Sequence, residues 1–119
     1  MLTAEAAHRD SVHAAVSVMA AKLQELVGQR LVAYVTGSRS NKTVARWASG
    51  DNTPNPKGLS KLRALYRTVL ILETEEPPET IRAWLTSSNP ILGDAVPAEV
   101  LRTDDPVRVF HAAQAFIEN

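Results

Sequence analysis

Apolar residues recur every three or four positions along most of the chain, and this spacing predicts a series of helices. The first covers residues 4–27, where the stripe runs from Val12 to Val27 and Gly28 ends it. Glycine and proline between the stripes are typical of connections between helices. The sequence therefore predicts an all-α fold. The other predicted helices are 29–36, 41–49, Leu59 to about Thr74, 79–87, 97–102, and one that begins after Thr103 or Asp104 and runs to the C-terminus.

A chain of 119 residues is enough for one compact domain, or for two small lobes that share a core. The run EEPPE at 75–79 is the strongest break in the helical pattern. We therefore predict an N-terminal helical lobe over 1–76 and a small helical C-terminal lobe over 77–119.

The stretch SNKTVARWASGDNTP, residues 40–54, predicts a short helix with two different faces. Ser40 can cap its start, and Gly50 supplies the left-handed residue at its end. Val44 and Trp47 share the apolar face, so Trp47 is expected to be a core residue rather than a base-stacking one. With the short helix before it, this segment predicts a helix-turn-helix over about 29–50, whose second helix reads the major groove.

The net charge of zero conceals an uneven distribution along the chain. Residues 37–67 hold seven basic side chains against one acidic, a net +6, whereas residues 68–119 hold three basic against nine acidic, a net −6. Such a split gives one surface suited to phosphates and another that repels them.

The outward face of the second helix supplies the predicted DNA contacts. Arg46 can make a bidentate contact with a guanine, with a phosphate contact or a solvated side chain as the alternatives. Asn41 can bridge an adenine, and for Asn41 and Lys42 the alternative is a solvated position on the helix surface. Basic residues that follow can hold the DNA backbone. The predicted DNA-binding residues are Ser38, Arg39, Ser40, Asn41, Lys42, Thr43, Arg46, Ser49, Lys57 and Lys61, with Arg63 and Arg67 as further candidates for phosphates.

The sequence contains little that would support an enzymatic function. There is no cysteine, the three histidines are scattered, and no phosphate-cradling glycine loop occurs. The sequence also lacks a signal peptide and an apolar run long enough to span a bilayer. We therefore expect no enzyme, metal or cofactor, and a cytoplasmic protein that is nucleoid-associated when bound to DNA.

Two motifs carry a resemblance to a known family. SNKTVARWASGDNTP resembles the helix-turn-helix of Xre-type repressors, in which a serine-capped recognition helix ends in an Arg-Trp pair, a glycine and a nearby proline. AWLTSSNPILGDAVPAEVLRTDD, residues 83–105, resembles the toxin-binding domain of the Xre/MbcA/ParS antitoxins, with its Trp-Leu, Asn-Pro, Leu-Gly and Pro followed by a leucine-bearing helix. The two regions cover about 29–118, and imply an Xre-like helix-turn-helix lobe followed by a small helical C-terminal lobe.

The resemblance implies a DNA-binding antitoxin that represses its own type II toxin-antitoxin operon as a homodimer on double-stranded operator DNA. It also implies a partner toxin of RES-type fold that degrades NAD. Asp105 and Pro106 depart from the pattern, which often has a glycine before the last helix. The residues expected to contact the toxin are Asp94, Glu99, Arg102, Asp104, Phe116 and Asn119.

Two alternatives remain open from the sequence. One is an orphan or phage-type helix-turn-helix regulator without a toxin, and the other is a protein-binding adaptor that has lost DNA binding. In the C-terminal lobe, Trp84, Leu85, Ile91 and Leu92 also fit a plain apolar core.

Overall fold

The structure, a computed structural model, describes residues 4–103 and 105–119, and of residues 5–14 it describes only the helical backbone. Within this part of the chain there are seven α-helices and no strand beyond one isolated β-bridge between Asn89 and Ala95. The predicted all-α fold is confirmed. The helices are α1 (Ala4–Val27), α2 (Gln29–Thr36), α3 (Asn41–Ser49), α4 (Pro56–Leu72), α5 (Pro78–Thr86), α6 (Pro97–Thr103) and α7 (Pro106–Glu118), with a 3₁₀ turn at Pro90–Leu92.

The first three helices have the predicted bounds, but α4 begins three residues earlier than Leu59. Asn55 caps it, because its Oδ1 accepts a hydrogen bond from the amide of Gly58 at 2.8 Å. Pro56 takes the first helical position, where its missing N–H costs nothing. The segment predicted as a connector is therefore partly helical, and Lys57 lies in the first turn of α4.

One apolar cluster is shared by all seven helices. Its centre is formed by fully buried side chains of α1 and α4, among them Leu23, Leu62 and Leu65. α3 packs along α1 and adds Val44 and Trp47, as predicted from its apolar face. This packing leaves the opposite face of α3 at the surface.

The helices on the two sides of the predicted lobe boundary contact each other extensively. α7 packs along α4, and α6 packs on α2. The guanidinium of Arg82 in α5 donates to the Leu26 carbonyl near the end of α1, at 2.8 Å. The division into 1–76 and 77–119 stays a prediction, and its boundary falls in the connection between α4 and α5.

None of the helices in the described ranges has the length and apolar character needed to cross a membrane. The same ranges hold no group of three His, Asp or Glu residues that could bind a metal ion.

Candidate DNA-binding surface and C-terminal groove

Hydrogen bonds at both ends fix the position of α3. Ser40 Oγ accepts from the amide of Lys42 at 3.0 Å, which is the predicted N-cap. Gly50 adopts the left-handed conformation at φ 84°, and its amide reaches the Trp47 carbonyl. Ser38 does not cap the helix directly, since its hydroxyl bonds to the backbone of Ser40. Ser38 thus holds the backbone of the capping residue Ser40 and makes no hydrogen bond to α3 itself.

The outward face of α3 is exposed along its length. Asn41, Lys42 and Arg46 are solvent-exposed, while Thr43 is half-buried. Ser49 is exposed as well, and its hydroxyl bonds to the Arg46 carbonyl and to Asp51 Oδ2, both at 3.1 Å. The first two turns therefore present amide, ammonium and guanidinium groups to solvent.

The seven basic side chains of residues 37–67 form no salt bridge with any residue that the structure describes. The ion pair found among the described residues joins Lys22 to Glu73, both outside this segment. Arg67 is nevertheless engaged, because its guanidinium lies 4.4 Å from the ring centroid of Phe110 in α7. An unpaired positive charge at the surface attracts phosphate without first breaking an internal pair.

A groove of about 330 Å³ lies between α3 and the start of α4, and we call it the α3–α4 groove. Its walls are the turn before α3, the connector after it, and the first turn of α4. Gly58 shapes the last wall, since a Cβ there would come within 3.2 Å of Asn55 Oδ1 and Pro54 Cβ. Three predicted DNA contacts line this groove: Ser38, Arg39 and Thr43.

Lys57 and Lys61 lie elsewhere. They line a smaller pocket of about 140 Å³ with Leu101 of α6 and Pro106 of α7. The predicted DNA-binding residues are therefore distributed over the α3 face, the α3–α4 groove and this neighbouring pocket.

The predicted toxin contacts do not form one cluster. Phe116 and Asn119 line a common groove at the C-terminus, whereas Asp94 and Glu99 are exposed on the loop and on α6. Arg102 points to α2, where it donates to the Tyr34 carbonyl. Asp104 lies outside the described residues.

The groove that contains Phe116 has a volume of about 310 Å³, and we call it the C-terminal groove. Phe116 packs on Trp84 with ring centroids 6.2 Å apart and an interplanar angle of 48°. Ile91 borders the groove and is 58% exposed, so its assignment to the lobe core is wrong. Trp84, Leu85 and Leu92 are buried as that assignment expects.

Asn89 holds the loop that presents Ile91. Its Oδ1 accepts from the Ile91 amide at 2.9 Å, and its backbone pairs with Ala95 at 3.0 Å. Gly93 and Asp94 then both take positive φ angles, of 65° and 68°, a conformation that glycine and aspartate tolerate best. Since Leu92 points into the core, its neighbour Ile91 points out. The opposite orientations of Ile91 and Leu92 could have been expected from the order Asn-Pro-Ile-Leu-Gly, because this order is typical of a turn and not of a helix.

The described chain thus has an all-helical fold in which the short helices α2 and α3 follow each other through a tight turn. No protein-family profile matches the sequence, and no curated protein matches it. Among solved structures, it is similar to a chain in the crystal structure of the M. tuberculosis MbcT-MbcA toxin-antitoxin complex, with a TM-score of 0.74 and 24% identity. The match covers 86% of this chain and 93% of that chain. This likeness shows that the two chains share their fold.

Proposed function

We propose that this protein is an antitoxin that binds DNA through α3 and a toxin through its C-terminal groove. The observation that carries the proposal is the shared fold with a chain of a toxin-antitoxin complex over most of both chains. The exposed face of α3 and the apolar C-terminal groove give that fold two separate binding surfaces. No catalytic role is proposed.

The DNA-binding part is supported by the capped α3 and its surroundings. Asn41 and Lys42 lie at the exposed start of the helix and Arg46 one turn later, so all three reach into a major groove that admits the helix N-terminus first. Arg46 is the candidate for base readout. Unpaired basic side chains beside the helix supply the phosphate contacts.

The toxin-binding part is supported by apolar side chains left at the surface. Ile91 and Phe116 are 58% and 37% exposed and line the same groove, next to the buried Trp84. Exposed apolar side chains around an aromatic anchor are typical of protein-binding surfaces. The net charge of −6 over residues 68–119 favours a partner with a basic surface. We propose that this partner is a RES-type toxin that degrades NAD.

We further propose that the protein is a homodimer and represses its own operon. Helix-turn-helix proteins commonly bind two half-sites related by a two-fold axis, and a dimer places one α3 at each. Repression follows when this operator lies upstream of the gene for the protein.

The proposal is tested by expressing this chain together with the product of the neighbouring gene. We expect the two to elute as one complex, the neighbour alone to consume NAD, and the complex to be inactive. Separate elution, with specific DNA binding intact, would instead identify a regulator without a toxin. Loss of specific DNA binding with the complex intact would leave only the antitoxin part.

A further inference from the structure

Trp47 carries a polar atom without a partner. The residue is 4% exposed, and its Nε1 is buried with no hydrogen-bond partner among the described residues. A buried N–H that loses its water without gaining an acceptor destabilises the folded protein. A phenylalanine would fill an apolar core without this cost, and the indole nitrogen is therefore a candidate donor to a group that binds from outside the chain.

The α3–α4 groove, which Trp47 lines, is suited to an anion. Arg39 is exposed at its rim, Thr43 and Thr53 add hydroxyls, and Asn52 adds an amide. No acidic side chain lines the groove. The 17-residue helix α4 starts at its wall, and the positive end of that helix dipole adds to the attraction.

The position of the groove relative to α3 indicates which anion reaches it. A helix with its side chains is about 10–12 Å wide, close to the width of the major groove, about 12 Å. The segments that flank α3 must therefore meet the sugar-phosphate backbone. These segments are the turn before α3 and the connector after it, and both line the groove.

We propose that the α3–α4 groove receives a phosphate of the DNA backbone and that the Trp47 Nε1–H donates to one of its oxygens. The inference rests on the proposed DNA binding and adds a contact to it. Arg39 supplies the opposite charge. Because Nε1 is covered in the free protein, side chains that line the groove must move aside as the phosphate enters. Trp47 is then both a core residue and a phosphate ligand.

The test is Trp47→Phe, which keeps an aromatic ring in the core and removes the N–H. We expect the variant to remain folded in a thermal melt and to bind upstream operator DNA about 10-fold more weakly, the usual scale for a hydrogen bond to a charged group. The salt dependence of binding should stay unchanged, because no charge is removed. Arg39→Ala should instead lower the slope of log K against log salt by about one. Trp84→Phe is the matched control and should bind as the wild type does.

A second measurement does not depend on the variant folding. In ¹⁵N-labelled Trp84→Phe protein, the one remaining indole N–H signal belongs to Trp47, and we expect it to move downfield when operator DNA is added. Inorganic phosphate alone at millimolar concentration should move it little, since the backbone must hold the phosphate in place.

Each outcome bears on the proposal. An indole signal that does not move on operator binding, or a folded Trp47→Phe protein with wild-type affinity, overturns the phosphate contact and leaves DNA binding standing. A response to inorganic phosphate without one to DNA overturns the assignment to the DNA backbone. Failure of the wild type to prefer the operator over scrambled DNA removes both this contact and the proposed DNA-binding function.

Discussion

The guanidinium of Arg102 lies over the ring of Tyr34, with Cζ 4.7 Å from the ring centroid, and its Nη1 donates to the Tyr34 carbonyl at 3.1 Å. Tyr34 belongs to α2, the first helix of the predicted helix-turn-helix, and Arg102 belongs to α6. One side chain thus links the predicted DNA-binding unit to the C-terminal helices. A residue expected to contact a toxin is already engaged within its own chain.

Arg102→Ala should destabilise the protein by about 1–2 kcal/mol, because it removes a cation–π contact and a charge-assisted hydrogen bond. Thermal or urea unfolding measures this change. Arg102→Lys keeps the charge without the planar group and should recover part of the loss. A melt that does not move, together with weaker toxin binding, would show that Arg102 acts at the partner surface instead.

Ser40→Ala should destabilise the protein by about 1 kcal/mol, since the amide of Lys42 loses its acceptor at the start of α3. Ser40→Gly should destabilise the protein by only about a few tenths of a kcal/mol, because glycine is also accepted at an N-cap position. Ser60→Ala, at an exposed position within α4, is the control for removal of a hydroxyl. Equal stability of the two alanine variants would contradict the role of Ser40 as the cap.

Ile91→Ser should weaken binding to the proposed toxin by about 1–2 kcal/mol while it changes the free energy of unfolding by less than about 0.5 kcal/mol, as for other exposed positions. Isothermal titration with the partner measures the first quantity and a thermal melt the second. Val107→Ser is the matched control, because Val107 is 45% exposed and does not line the C-terminal groove. If both variants bind equally well, the groove is not the toxin surface.

The ion pair between α1 and the end of α4 predicts a pH dependence. The hydrogen bond to Glu73 raises the pKa of Lys22 above its ordinary value of 10.5. A lysine whose pKa rises on folding stabilises the protein fully below pH 10.5 and loses this effect as the pH rises through the higher value. Both side chains are about one-third exposed, so the pair is worth at most about 1 kcal/mol.

Lys22→Met should therefore be less stable than the wild type at pH 7, and the difference should decrease as the pH rises above 10.5. Added salt at pH 7 should reduce it as well, because the pair is partly exposed. A difference that stays constant across this alkaline range would show that Lys22 acts through its aliphatic chain alone.

Local features of the fold could be predicted from the sequence because short-range rules determine them. Ser40 and Gly50 mark the ends of α3, and the spacing of Val44 and Trp47 identifies its buried face. The sequence predicts the start of α4 too late, because two prolines are typical of a connector, although Asn55 followed by Pro56 is also a helix start. The cap formed by Asn55 starts the helix at Pro56 despite the prolines.

The long-range features could not be predicted from periodicity. The contact of Arg102 with Tyr34 joins residues that are 68 positions apart, and helical spacing does not show which helices meet. The exposure of Ile91 depends on how Asn89 turns the loop. The prediction of Trp47 as a core residue is confirmed by its burial, but only the three-dimensional surroundings show that its nitrogen lacks a partner.

The proposed reading of DNA by α3 is tested by fluorescence anisotropy of wild-type and Arg46→Ala protein on the upstream DNA and on scrambled DNA of equal length, across a salt series. We expect the wild type to prefer the upstream DNA, its affinity to fall steeply with salt, and Arg46→Ala to lose about 1–3 kcal/mol of specific binding without a change in thermal stability. Equal affinities of wild type and variant for the upstream DNA, or of the wild type for both DNAs, would show that α3 does not read this DNA.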